Sequence, residues 1–220
     1  MECKAMHTST TKKRRQTLVS HILMWVGGRR WTCSTLWPGL FALVFSLVPV
    51  LAVAAPNGTT RGDTAPLLQR LDHARWIAQG HGPRILYILF DPNCPYCHLL
   101  YNELQPFIRS AQLTVRYVPV GYLSPSSFGK AAAILEAKNP LAALQKNETG
   151  FNVKTHDGAI AEILPDAAST NALQSNMRIL EATGQKIVPT MVYTRRDGTV
   201  KIIKGAPGRA DLPEVLKEIR

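Results

Sequence analysis

Two cysteines stand two residues apart in the stretch Phe90-Asp91-Pro92-Asn93-Cys94-Pro95-Tyr96-Cys97-His98. A Cys-x-x-Cys pair can open and close a disulfide and so carry two electrons. The trailing His98 raises a rival, because Cys-x-x-Cys-His is also the attachment pattern of c-type haem. A zinc site would need about four ligands, and no second Cys/His cluster lies near enough in the sequence to supply them, so no metal is expected. A purely structural disulfide is a poor fit, since so short a loop closes little chain entropy and would stabilise little. The favoured reading is a redox pair that needs no other cofactor.

That chemistry needs a strand to end and a helix to begin at the pair. The near-continuous apolar run from Arg84 to Phe90 suits a buried central strand. A helix is expected from about Pro95 to Arg109, with Pro95 in its first turn, where a missing N–H costs nothing, and Pro106 as a kink. Cys94 would then meet the exposed N–H groups and dipole of a helix start, which favour a thiolate. It is the expected nucleophile, and the more exposed of the two. Cys97, one turn in, is the expected resolving thiol. Pro95 and Tyr96 lie between them and tune the pair. His98 is expected to be a partly exposed helix residue that modestly favours the thiolate. Asp91 reads as a turn cap with Asn93 in preference to a local acid.

The remaining elements follow in order. Pro66 to Gln79 carries Leu67, Leu68, Leu71, Ala74, Ile77 and Ala78 at helical spacing, with Pro66 in the first turn and Gly80 as the stop. Leu113 to Val120 alternates as a strand, and the helix joining it to 84–90 favours parallel pairing. Helical segments are expected over 124–139, 140–145 and from Ser169, a cap candidate, to near Gly184, with loops over 146–168. Ile187 to Tyr193 is a strand, Asp197-Gly198 a hairpin turn, Val200 to Ile203 the returning strand and Asp211 to Ile219 a closing helix. The order is α/β, that of a thioredoxin-like fold with a helical insertion at about 124–184. Pro189 stands at the start of a later strand, where position alone allows a cis or a trans bond. His73 and Trp76 read as surface and packing groups; His81 and His156 carry no assignment.

The chain has 220 residues and a formal charge of +11. Residues 1–54 hold seven of its 26 basic residues and one of its 15 acids, which leaves 19 and 14, a net of +5, beyond them. Those bases are scattered rather than striped with aromatics, so nucleic-acid binding is not expected. Residues 36–55 are an apolar core behind Arg29 and Arg30 that ends in Ala52-Val53-Ala54, a signal-peptide pattern cut after Ala54. Its long basic lead-in would shorten to ordinary length if translation began at Met24. An uncleaved inner-membrane anchor is the alternative. Cys3 and Cys33 lie in this leader, so the exported chain keeps only Cys94 and Cys97. A single close pair in an exported protein is chemistry more than framework. The expected organisation is a leader over 1–54, a stub and linker-like helix over 55–82, and a redox domain over 83–220.

With these residues in place, the chain resembles the periplasmic thiol–disulfide proteins of the DsbC/DsbG group, and the DsbG type more closely. The resemblance rests on Asp91-Pro92 ahead of Cys94-Pro95-Tyr96-Cys97, on Ala131-Ala132-Ala133-Ile134-Leu135, and on Val188-Pro189-Thr190 before a β-hairpin, and it covers about residues 67–219. It implies a periplasmic reductase or isomerase acting on cysteine-containing exported proteins and recharged by a membrane electron donor of the DsbD type. It implies a cis bond before Pro189 and a substrate-binding role for Val188 and Pro189; Thr190 either flanks that substrate-binding site or is an ordinary strand threonine. Two features depart from it. The group's N-terminal dimerisation domain has no counterpart, which points to a monomer or weak oligomer. Val188 stands where DsbC and DsbG carry Thr, a feature closer to DsbA-type oxidases. A disulfide oxidase, and an envelope or conjugation assembly factor using the fold as a scaffold, are the alternatives.

Overall fold

The computed structural model describes residues 61–220, with side chains from Pro66 onward; these fall within one compact unit, 54–220. The leader, its cleavage site and most of the stub lie outside the described residues. Arg84–Phe90 (β2) is the centre of a five-stranded sheet in the order β1-β3-β2-β4-β5, where β1 is Ile77–Gln79, β3 Leu113–Pro119, β4 Thr190–Thr194 and β5 Val200–Lys204. From Leu86 to Phe90 every residue of β2 is buried, so both faces of the sheet are covered. That is why the run reads as uniformly apolar. The strands β2 and β3 pair in parallel, Arg84 opposite Leu113 through Phe90 opposite Pro119. The other three pairings are antiparallel.

The helix α2 (Pro95–Arg109) connects β2 to β3 and buries Cys97, Leu100, Tyr101, Leu104 and Ile108, a three-and-four spacing that seats one face on the core. Leu104 is fully buried. Leu104→Ala should cost about 2–5 kcal/mol of unfolding free energy, read as a lower urea midpoint at unchanged slope.

Between β3 and β4 the helical insertion comprises α3 (Ser127–Glu136), α4 (Pro140–Thr149) and α5 (Ala167–Ala182). Asn139 caps α4 by accepting the Ala142 N–H, with Pro140 in the first turn. Asp166, and not Ser169, caps α5: its carboxylate accepts the Ser169 N–H at 2.6 Å. Ser169 lies inside the helix and donates its hydroxyl proton to Glu136. The hairpin turn at Asp197-Gly198 forms as the sequence predicts, with Gly198 at φ +83°. The chain closes with α6 (Leu212–Glu218).

The segment expected as one helix over 66–79 divides in two. Helix α1 spans Arg61–Asp72, which places Pro66 inside it and not in its first turn. The chain then turns at Ala74, and Ile77–Gln79 pairs antiparallel with Tyr117–Val115. Ile77 and Gln79 are buried while Ala78 is exposed, the two-residue period of a strand. Leu67 and Leu71 enter the core from α1. The stretch read as stub and linker thus contributes an edge strand and two core residues to the sheet domain. Trp76 packs under the Arg116 guanidinium, 4.6 Å from its ring centroid, a packing role as expected.

Candidate functional site

Cys94 is the N-cap of α2, with extended backbone at φ −89° and ψ 114°. At that position a side chain accepts from the first free N–H groups of the helix. Here the acceptor is sulfur: the Cys97 N–H donates to Cys94 Sγ at 3.2 Å. On its other side the Cys94 thiol donates to the Val188 carbonyl at 3.6 Å. The second contact buries it. Cys94 is 2% exposed and Cys97 5%, so the expectation that Cys94 is the more exposed cysteine does not hold. The segment before β4 lies against the helix start and covers the sulfur that sequence position alone would leave open.

Cys97 is held well above the ordinary thiol range, first by burial, then by its hydrogen bond to Cys94 and the charges of Cys94 and Glu148; only the Asp91 backbone acts the other way. Cys97 is therefore a protonated thiol at neutral pH. Of the residues flanking the cysteines, Tyr96 is 64% exposed and projects from the surface, while Pro95 is half-buried in the first turn.

The Val188–Pro189 peptide bond is cis. Thr190, fully buried, donates its hydroxyl to the Ile187 carbonyl at 2.6 Å, so its side chain braces the loop before β4 from within. Tyr122 ties this loop to the one after β3 by donating its hydroxyl to the Lys186 carbonyl. Val188, Pro189 and the cysteine pair thus meet at one end of the sheet.

Asp91 is the anchor beneath them. Fully buried, its Oδ1 accepts from the Asn93 N–H at 2.9 Å and the Ser127 hydroxyl at 2.7 Å. Its Oδ2 accepts from the Tyr122 and Leu123 N–H groups at 2.7 and 3.0 Å. The turn-capping expectation holds, and the same carboxylate also fixes the loop leading into α3. Asn93 works beside it. Its Nδ2 donates to Ser124, and lies within reach of Ser126 and Ser127, while its Oδ1 accepts from the Gly158 N–H.

The insertion reaches the same loop. Asn147 Nδ2 donates to the Pro92 carbonyl at 3.0 Å. Gly158 packs so closely that a Cβ there would lie 2.5 Å from that carbonyl oxygen, so only glycine fits. Buried Lys130 on α3 holds the Gly158 carbonyl at 2.6 Å and Asp157 at 2.5 Å.

His98 turns inward. Its ring stacks on Phe151 with centroids 4.7 Å apart and planes 14° from parallel. Nε2 pairs with Asn102 Nδ2 at 3.0 Å, and Nδ1 faces Glu148 Oε2 at 3.6 Å. Both ring nitrogens face protein groups and Cys97 is buried, an arrangement unsuited to haem attachment at Cys94, Cys97 and His98. Glu148 is 2% exposed, and burial, opposed by His98 and Asn147, raises its carboxyl pKa. Among the described residues no group of three or more Cys, His, Asp or Glu is placed to hold a metal.

Asn147, Glu148, Phe151 and Gly158 were not identified from sequence. They fall in a stretch without hydrophobic periodicity, and their link to the cysteines is purely tertiary.

The chain belongs to the thioredoxin-like domain family, whose profile matches residues 71–220. A solved periplasmic thioredoxin-like protein from Salmonella enterica serovar Typhimurium superposes with a TM-score of 0.53, covering 70% of this chain and 95% of that one at 21% identity, a likeness of fold. In sequence it is similar to the thiol:disulfide interchange protein DsbG of Pseudomonas aeruginosa, 32% identical over 150 residues, 67% of this chain and 57% of that protein. Its counterpart in Escherichia coli K12 is 28% identical over 149 residues, 66% of this chain and 58% of that one. The chain thus spans less than two thirds of the length of these curated relatives.

Proposed function

We propose that this protein is a thiol–disulfide oxidoreductase of the DsbG kind, acting in the periplasm on cysteine-containing exported proteins. The observation that carries the reading is the Cys94 sulfur at the head of α2, between the Cys97 N–H and the Val188 carbonyl. Sequence similarity to two DsbG proteins supports the class of chemistry. The A-x-A pattern at Ala52–Ala54 supports export.

In this reading Cys94 attacks a sulfur of the substrate disulfide, forming a mixed disulfide and releasing one substrate thiolate. Cys97 then attacks Cys94 Sγ, the bond to the substrate breaks, and the second substrate thiol leaves. The substrate is reduced by two electrons and Cys94–Cys97 is oxidised by two. A membrane donor of the DsbD type would restore the dithiol; in isomerisation the substrate's own thiol would instead displace Cys94 before resolution. Val188, whose carbonyl meets the Cys94 sulfur, and Pro189 next to it are the proposed substrate contact. Thr190 faces inward, so its proposed part is to shape the Ile187–Pro189 loop.

Val188 favours a second reading, a disulfide oxidase, in which electrons run the other way. The redox potential decides. Equilibration against glutathione buffers should place the pair below about −200 mV, with catalysed reduction of insulin. A value near about −120 mV would overturn the reductase reading in favour of the oxidase. Failure to form the Cys94–Cys97 disulfide at any poise would leave the assembly-factor alternative.

A further inference from the structure

Resting on this exchange chemistry, we propose that Tyr122 is a positioning residue for Cys94: its hydroxyl latches the Lys186–Val188 segment over the Cys94 sulfur, and release of that latch opens the sulfur to an incoming disulfide. The nucleophile of the exchange reading is closed off in this structure. Cys94 is 2% exposed, and its thiol donates to the Val188 carbonyl at 3.6 Å. Exchange needs a thiolate that a substrate sulfur can reach. A covered thiol whose proton is held by a carbonyl is neither ionised nor reachable, so that carbonyl must move aside first.

The bonds that hold it in place are explicit. Each carbonyl from Lys186 to Pro189 has a named donor. Tyr122 Oη donates to Lys186 at 2.9 Å, Thr190 Oγ1 to Ile187 at 2.6 Å, Cys94 Sγ to Val188 at 3.6 Å, and the Gly205 N–H to Pro189 at 2.8 Å. These ties differ in how readily they break. Thr190 is fully buried, and the Gly205 bond lies directly beyond the Thr190–Lys204 pair of the β4–β5 ladder, so the Pro189 end is fixed. The Tyr122 bond is at the surface, where water can take the place of the hydroxyl. Gly184, at φ +93°, stands just after α5 and supplies a pivot at the other end of the segment.

Tyr122 is itself firmly seated. Its N–H donates to Asp91 Oδ2 at 2.7 Å, which anchors the latch to the carboxylate beneath the cysteines. Its phenol pKa is pushed up to about 12, first by burial and then by Asp91, Cys94 and Cys97, so the hydroxyl stays a neutral donor at neutral pH. The Lys186 ammonium lies 5.4 Å from the Tyr122 ring centroid and 3.8 Å from Glu181. Both charges of that ion pair are half exposed, so it contributes little. The hydroxyl-to-carbonyl bond is therefore the tie that matters.

The latch also biases the redox balance. The Cys94 bond to the Val188 carbonyl exists only in the dithiol, because a disulfide sulfur has no proton to donate. Holding Val188 in place therefore favours the reduced pair.

Alkylation tests the latch without any substrate. The reduced full chain is labelled with iodoacetamide, and mass spectrometry reads the rates at Cys94 and Cys97 separately. Tyr122→Phe keeps the ring and the Asp91 bond and removes only the hydroxyl. It should label Cys94 at least about threefold faster with Cys97 still protected, and shift the Cys94–Cys97 equilibrium against glutathione about threefold toward the disulfide. Lys186→Gln keeps the backbone carbonyl and should stay within about twofold of wild type in both measurements. Simple loosening of the fold would expose Cys97 together with Cys94. Joint labelling of the two cysteines in Tyr122→Phe, unchanged or slower labelling of Cys94, or an equilibrium that stays in place or moves toward the dithiol overturns the assignment. So does a Lys186→Gln variant that matches the Tyr122→Phe effect. A wild-type chain that forms no Cys94–Cys97 disulfide with glutathione, while its Cys94 labelling follows the expected pattern, overturns the exchange reading and leaves the cover over Cys94 standing.

Discussion

Cys94→Ser should reduce catalysed exchange to background, a loss on the order of a thousandfold or more, whereas Cys97→Ser should keep the first chemical step and accumulate mixed disulfides. The two cysteines are equally buried, so the difference comes from where each sits on the helix. Cys94 caps α2 and its sulfur accepts the Cys97 N–H, a donor at the positive end of the helix dipole that suits a sulfur carrying negative charge. Cys97 is in the first turn, buried against the core and held as a thiol. A serine hydroxyl at position 94 cannot supply a thiolate at neutral pH, and no other described cysteine can replace it. A serine at position 97 leaves the attack intact and removes only resolution. The measurement is non-reducing electrophoresis after incubation with a disulfide-bonded substrate, alongside insulin reduction. A thiol-sensitive adduct should build up with Cys97→Ser and be absent with Cys94→Ser. The reverse pattern, or adducts with neither, would sink the assignment of roles.

The cysteine pair, its strand and its helix were legible because their signals are local. An apolar run buried on both faces, a proline in the first helical turn and a two-residue cysteine spacing each follow from backbone geometry and solvent. The stretch 66–79 misled for an equally local reason. Ile77 and Ala78 continue a helical spacing begun by Leu67 and Leu71, but Ile77 and Gln79 also fit a strand, and the open edge of β3 supplies the pairing that decides between them. The burial of Cys94 was hidden because what covers it, the Val188 carbonyl, is 94 residues away in sequence.

The insertion is the larger lesson. Its residues 146–168 lack hydrophobic periodicity, and several of them meet polar groups of the cysteine loop. Asn147 takes the Pro92 carbonyl, Gly158 gives its N–H to Asn93, and Glu148 meets His98. Polar contacts of this kind leave no periodic trace. They also give the insertion a physical reason to exist: it holds the loop at Pro92 and Asn93, while Val188 meets Cys94, so that two segments remote in sequence fix the loop that carries the cysteine pair.

Asp91→Ala should cost about 3–5 kcal/mol of unfolding free energy, the largest loss expected from a single side chain outside the apolar core. The carboxylate is fully buried and accepts four hydrogen bonds, from the Asn93, Tyr122 and Leu123 N–H groups and the Ser127 hydroxyl. Truncation to alanine orphans all four donors. Each buried donor left unpaired costs about 1–3 kcal/mol, and water entering the partly buried side near Tyr122 recovers part of that sum. Asp91→Asn should cost less, because its oxygen can still take two of the donors while its NH2 group opposes the other two. The damage should not be confined to stability. Three of the four bonds, from Tyr122, Leu123 and Ser127, join the cysteine loop to the Tyr122–Ser127 segment, so their loss frees the base of α2 relative to the loop that Tyr122 ties to Lys186. Urea unfolding gives the stability difference, and the redox potential of the folded variant gives the local effect. A variant that keeps wild-type stability and potential would mean that the four donors find other partners, and that the carboxylate beneath the cysteines is dispensable.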